Sequence, residues 1–140
     1  MTYYFDMDGT IADLYGVENW LPMLINEQTT PYDVAAPLVD VENFCKKAAE
    51  LKAQGATFGI VSWTARGGSK EYNEKVRLAK LQWLDKFFPG IFTEIHIVKY
   101  GTPKYRVVKD RTGFLFDDEE KNRTQWKGVA YNEKMVSIFG

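Results

Sequence analysis

Apolar residues along the chain come in two rhythms, short continuous runs and stripes at helical spacing, and the two alternate. The first run, "TYYFDM" (2–7), predicts a buried strand, and "DGT" closes it with turn residues. In "GVENWLPMLINEQ", Val17, Trp20, Leu21 and Leu24 recur at helical spacing, with Pro22 interrupting early. "TTPYDVAAPLVD" predicts a proline-containing loop. Asp40 then stands ready to cap a helix in which Val41, Phe44, Cys45, Ala48 and Leu51 form one stripe, and Gly55 stops it. "ATFGIVSW" predicts a second strand and "ARGGSK" a loop. A long helix follows over 69–88, with Tyr72, Val76, Ala79, Trp83, Leu84 and Phe87 on or near one face and Pro89-Gly90 at its end. "TEIHIV" and "TGFLFDD" predict two more strands on either side of a basic loop, "KYGTPKYRVVKDR". "EEKNRTQW" predicts a short helix and "GVAYN" a fifth strand.

Strands that alternate with helices pair in parallel and carry helices on both faces. Near-continuous apolar strands such as "GFLFD" fit burial on both sides. The expected fold is therefore a three-layer α/β/α, Rossmann-like domain with a mainly parallel five-stranded sheet. It spans 1–140 as one unit, with residues 13–40 as a small cap-like insert. The size allows a real core, and a composition 45% hydrophobic and 15% aromatic describes a globular chain.

A formal net charge of -1 argues against a general nucleic-acid or membrane-surface binder. Cys45 is the only cysteine, so an intrachain disulfide and a cysteine metal cluster are excluded. No apolar stretch approaches the length of a membrane-crossing helix, and Asp6 and Asp8 interrupt the place where a signal peptide would need its apolar segment. The expectation is a cytoplasmic protein with no membrane partner.

The chemistry lies at the strand ends. In open parallel sheets, ligands bind beyond the carboxyl ends of the strands. Asp6 and Asp8 lie at or just past the end of the first strand, Asp117 and Asp118 end the fourth, Ser62 lies at the end of the second, and the loop with Lys104 follows the third. Four carboxylates at one edge cannot all ionise cheaply without a cation. A sulfur-free, all-oxygen set suits Mg²⁺, which keeps waters and binds substrate phosphate. In "DMDGT", residues two apart point the same way, so Asp6 and Asp8 can flank one bound group, while Gly9 allows a sharp turn and Thr10 can hydrogen-bond within it.

"DMDGT" resembles the first motif of the haloacid dehalogenase-like phosphohydrolases. "FGIVSW", "YGTPKY" and "FLFDDEEKN" are similar to the remaining three, in the right order. The resemblance covers Tyr3 to Asn122 and implies a two-step phosphoryl transfer. Asp6 would attack phosphorus, and Asp8 would protonate the leaving oxygen and then activate water. Ser62 would hydrogen-bond the phosphoryl group, and Lys104 would neutralise charge on it and on the nucleophile, with Lys99 and Lys109 as alternative lysines. Mg²⁺ would be held by Asp6, the backbone carbonyl of Asp8, Asp117 and Asp118.

The resemblance leans toward deoxyribonucleotidases and the phosphatase part of polynucleotide-end repair enzymes. It implies a phosphorylated substrate, a nucleotide or a nucleic-acid end among the candidates. Trp63 and Arg66 of "SWTARGGSKEYNEK" are assigned to substrate together with Thr10, and Trp20, Leu21, Leu24 and Tyr32 of the insert could shade the site. Lys99, Lys104, Arg106, Lys109 and Arg111 read as a basic strip. His96, inside a predicted strand, receives no role. The competing expectations are a phosphotransferase or phosphomutase, a catalytically silent binding domain, and an oligomer that completes the cap.

Overall fold

A computed structural model describes all of residues 1–140. In chain order the elements are β1 (Thr2–Phe5), β2 (Ala12–Asp13), α1 (Trp20–Ile25), α2 (Thr30–Val34), β3 (Ala36–Pro37), α3 (Val41–Ala53), β4 (Thr57–Trp63), α4 (Lys70–Phe87) and β5 (Glu94–Val98). A 3-10 turn (Lys104–Arg106), β6 (Phe114–Phe116), α5 (Glu120–Gln125), β7 (Ala130–Tyr131) and a second 3-10 turn (Glu133–Ile138) complete the chain.

Five strands form one sheet in the order β5-β4-β1-β6-β7, and every neighbouring pair is parallel. β2 and β3 make a separate antiparallel pair. With helices on its faces, the sheet has the three-layer α/β/α, Rossmann-like architecture expected from the alternation. The chain builds outward from β1 to β4 and β5, then returns to add β6 and β7 on the other side. The carboxyl end of β1 is therefore the topological switch point, where such sheets open a crevice.

Alternation along β1 divides the core. Phe5 is fully buried on one face, stacked between Phe58 and Phe116 at centroid distances of 5.9 and 4.9 Å. Phe44 of α3 and Phe139 near the C-terminus meet it edge-on. Tyr4 faces the other side, against Val61, Leu115 and Trp126. Rings of this size contribute most of the burial energy, and their offset and edge contacts add to it. α3 starts after its expected cap, with Asp40 accepting from the Asn43 N–H at 3.1 Å; α4 starts one residue later than expected, because Ser69 stays outside the helix and caps it by accepting from the Tyr72 N–H at 3.1 Å.

The insert differs in detail from its expected form. The helix over 16–28 is only the six residues of α1, bounded by Asn19 and Glu27 at positive φ. Pro22 explains the late start. In the first turn its missing N–H costs nothing, whereas a helix beginning at Gly16 would lose an internal bond there. The expected loop 29–40 contains a second helix, α2, with Pro31 in its first turn. No helix is long and apolar enough to cross a membrane.

Candidate active site

β1 delivers its acids through a tight turn. The Met7 carbonyl accepts the N–H groups of Thr10, Ile11 and Ala12 at 3.0, 3.0 and 2.9 Å. Gly9 sits at φ 79°, where a side chain is strained, and a Cβ there would collide with the Asp118 carboxylate. Met7 is buried in the aromatic core. With Met7 turned inward, Asp6 and Asp8 both line a cavity at the end of the sheet.

Two buried lysines hold three of the four carboxylates between them. Lys104 donates to Asp6 Oδ1 at 2.8 Å and to Asp117 Oδ2 at 2.6 Å. Asp117 is fully buried and is held on its other oxygen by the Glu119 N–H at 2.9 Å. Burial opposes a charge on Lys104, but Asp6 and Asp117 outweigh it and raise its pKa, so it stays an ammonium. Thr10 ties the two strand ends together: its hydroxyl lies 3.3 Å from Asp6 Oδ2 and 3.4 Å from Asp118 Oδ1, and it accepts the Asp118 N–H at 3.2 Å. One hydroxyl proton serves only one of those two carboxylates at a time.

Lys80, from the middle of α4, occupies the other side. Its Nζ donates to Asp8 Oδ2 at 2.8 Å, to Ser62 Oγ at 2.9 Å and to the Trp63 carbonyl at 2.7 Å. The Lys80 residue is 1% exposed.

Four carboxylates thus face two ammonium groups, and negative charge is left over. Its signature is in the proton affinities. Burial, then the neighbouring Asp6 charge, pushes Asp117 up to about 6. The same two causes push Asp118 up to about 8. Burial also raises Asp8, against the pull of Lys80. Asp6, Asp117 and Asp118 each offer an oxygen, all within 4.8 Å of one another. Beside them the Asn122 side chain donates to Asp117 Oδ2 at 3.2 Å, while its buried carbonyl oxygen has no hydrogen-bond partner. Hard oxygen donors, surplus negative charge and an unsatisfied buried acceptor fit a hydrated divalent cation such as Mg²⁺. The Asp8 carboxylate stands outside that cluster.

Above the acids lies a cavity of about 450 Å³. α1 contributes Trp20, Leu21 and Leu24, none of which is buried in the core, and α2 contributes Tyr32. Trp63 and Tyr100, 4.7 Å apart between centroids, wall the other side. The Trp63 indole N–H donates to the Thr102 carbonyl at 2.9 Å, which anchors the loop that carries Lys104. Arg66 lies over the Tyr100 ring, 5.8 Å from its centroid, and lines the same cavity.

The structure brings together Asp6, Asp8, Thr10, Lys104, Asp117 and Asp118, and sets Trp63 and Arg66 in the cavity wall. Of the three lysines considered for the loop, Lys104 is the one on Asp6. Ser62 is 1% exposed and bonds Lys80, whereas Thr64, two residues on, lines the cavity. The basic strip is not one face: Lys104 points inward, while Arg106, Arg111 and Lys127 gather around Tyr105 on the outside. His96 pairs with Glu94 at 2.7 Å, away from the acids. Lys80 and Asn122 have no part in the site expected from the sequence. Lys80 did carry a signal, since it sits four residues from both Val76 and Leu84 in an apolar stripe where a lysine is out of place. No protein-family model matches the chain, and no curated protein matches it.

Proposed function

We propose that the chain is a Mg²⁺-dependent phosphomonoesterase that works through an aspartyl-phosphate on Asp6, as the haloacid dehalogenase-like resemblance implies. The observation that carries this reading is the division of labour between the two motif acids. Asp6 is held by Lys104 next to Asp117, and Asp8 is held separately by Lys80, with both acids at the floor of one cavity.

Asp6, Asp117 and Asp118 would hold the cation, which when bound offsets negative charge on the phosphoryl oxygens. In the first step an Asp6 carboxylate oxygen forms a bond to phosphorus as the bond to the leaving oxygen breaks, and Asp8 gives that oxygen its proton. In the second step Asp8 takes a proton from water as the water oxygen attacks phosphorus, and the Asp6 carboxylate leaves. Lys104 stays charged throughout and stabilises the negative charge passing between Asp6 and the phosphoryl group. Asp6, Lys104 and Asp117 are buried, which strengthens the interactions among them.

The cavity supports a finer choice of substrate. A volume of about 450 Å³ with Trp20, Tyr32, Trp63 and Tyr100 in its walls suits a leaving group with a flat ring, such as a nucleoside. The scattered basic strip gives less support to a nucleic-acid end. The test is phosphate release from a panel of nucleoside, aryl and sugar monophosphates. Release is expected with Mg²⁺, strongest for ring-bearing substrates, and absent after Asp6→Asn or with EDTA. No release from any of the panel with Mg²⁺ would overturn the proposal.

A further inference from the structure

A fully buried lysine is costly unless every donor is used. Lys80 uses all three, and its three acceptors are informative. Ser62 Oγ and the Trp63 carbonyl belong to the end of β4, where Ser62 and Trp63 pair with Ile97 and Val98 of β5. The third acceptor is Asp8 Oδ2. Tyr32 of α2 closes over the ammonium, 5.2 Å from ring centroid to Nζ. Lys80 is thus fixed to the sheet on one side and grips one oxygen of Asp8 on the other. Asp8 Oδ1 has no partner among the protein's hydrogen bonds, and the Asp8 side chain is 20% exposed at the cavity floor.

We propose that Lys80 is a positioning residue for proton transfer by Asp8: it binds Oδ2, leaves Oδ1 as the oxygen that carries the proton, and is itself held in register by Ser62. This rests on the phosphomonoesterase reading. It reassigns Ser62, which acts through Lys80 and Asp8 and not by gripping the phosphoryl group. Lysine suits the role because its ammonium only donates. It cannot turn to present a lone pair, and with its three N–H groups on Asp8, Ser62 and Trp63 it has none left for the leaving oxygen. The pairing also separates the two functions of the acidic cluster. Lys104 serves the nucleophile and the cation ligands, and Lys80 serves the acid.

The readout is the dependence of kcat/KM on the leaving group, since kcat/KM covers the steps through departure of that group. A nitrophenolate leaves with little help, whereas an alkoxide needs its proton. General acid catalysis contributes roughly 10²–10⁴-fold where it is needed. Lys80→Met should therefore lower kcat/KM for alkyl phosphates by about 100-fold and for p-nitrophenyl phosphate by about 5-fold or less. Ser62→Ala keeps the lysine and its charge, and is a gentler variant should Lys80→Met fail to fold. It should show the same selective loss, about 10-fold for alkyl phosphates. Added to Asp8→Asn, either variant should cause little further loss, because residues acting as one unit are not additive. Equal losses for both leaving-group classes, or full additivity with Asp8→Asn, would overturn the proposal and assign Ser62 to the phosphoryl group. Wild-type protein inactive on every phosphomonoester would instead overturn the phosphomonoesterase reading, so the two failures are distinct.

Discussion

Replacing Lys104 by Met tests the electrostatics of the acidic floor. The side chain is 2% exposed and its ammonium is the shared partner of Asp6 and the fully buried Asp117. Met keeps much of the shape and removes the charge. Two buried carboxylates then face each other, and breaking a buried pair in this way costs about 3–5 kcal/mol. At about 2.1 cal/mol/K of unfolding entropy per residue, a chain of this length loses roughly 10–17 °C in melting temperature. Circular dichroism melts at neutral pH in EDTA measure it directly. Adding Asp117→Asn to the variant removes one of the stranded charges and should recover roughly half of the loss. Mg²⁺ should raise the melting temperature of the Lys104→Met variant more than that of the wild type, because the cation then supplies the missing charge. A melting temperature within about 3 °C of wild type, or a further full loss on adding Asp117→Asn, would refute the view that Lys104 holds this cluster together.

Three further outcomes follow from the same geometry. Asp118 keeps its proton up to about 8 in the folded protein but loses it near the ordinary carboxylate value when unfolded, so the unfolded state ionises first. The melting temperature in EDTA should therefore fall as pH rises from about 5 to 8, and Mg²⁺ should flatten that fall. Gly9→Ala places a Cβ against Asp118 at a positive φ; thermal melts should show a loss of about 1–3 kcal/mol, and activity assays a larger defect than stability alone explains. Glu94 opposes its own burial with hydrogen bonds from the Lys109 N–H, His96 and Tyr4, and its pKa is lowered. It contributes stability above the ordinary carboxylate range that is lost as pH falls through the folded value, so Glu94→Gln should narrow its stability gap to wild type below about pH 4 in acid unfolding curves.

What was legible in the sequence was local. Apolar runs that end in acids, the Asp40 cap, and the order of strands and helices are set by neighbours along the chain, and these led to the sheet and to Asp6, Asp8, Asp117 and Asp118, while the motif resemblance pointed to Lys104. What was less legible depends on contacts across the fold. Lys80 interrupts the apolar stripe of α4, but its role shows only once α4 lies against the end of β4 and α2 covers it. Ser62 reads as a phosphate ligand from its place in the chain, and only the fold shows that its oxygen also accepts from Lys80. Val136 and Phe139 follow the last predicted strand, yet both are buried, with Phe139 set against Phe5 and Phe116. In the insert, Pro22 is a visible blemish, but only the cavity explains why α1 leaves Trp20 and Leu24 half-buried and Leu21 exposed.

The most direct test of the central claim is to catch the phosphoryl group on Asp6. Protein mixed briefly with Mg²⁺ and a phosphomonoester, quenched in acid and treated with borohydride, should be reduced only where a carboxylate has become an acyl phosphate. Peptide mass spectrometry should then find the reduced side chain at residue 6, dependent on substrate, and nowhere else among the acids of the site. Phosphate release without any reduced residue, or reduction at Asp8, Asp117 or Asp118 in place of Asp6, would contradict the account.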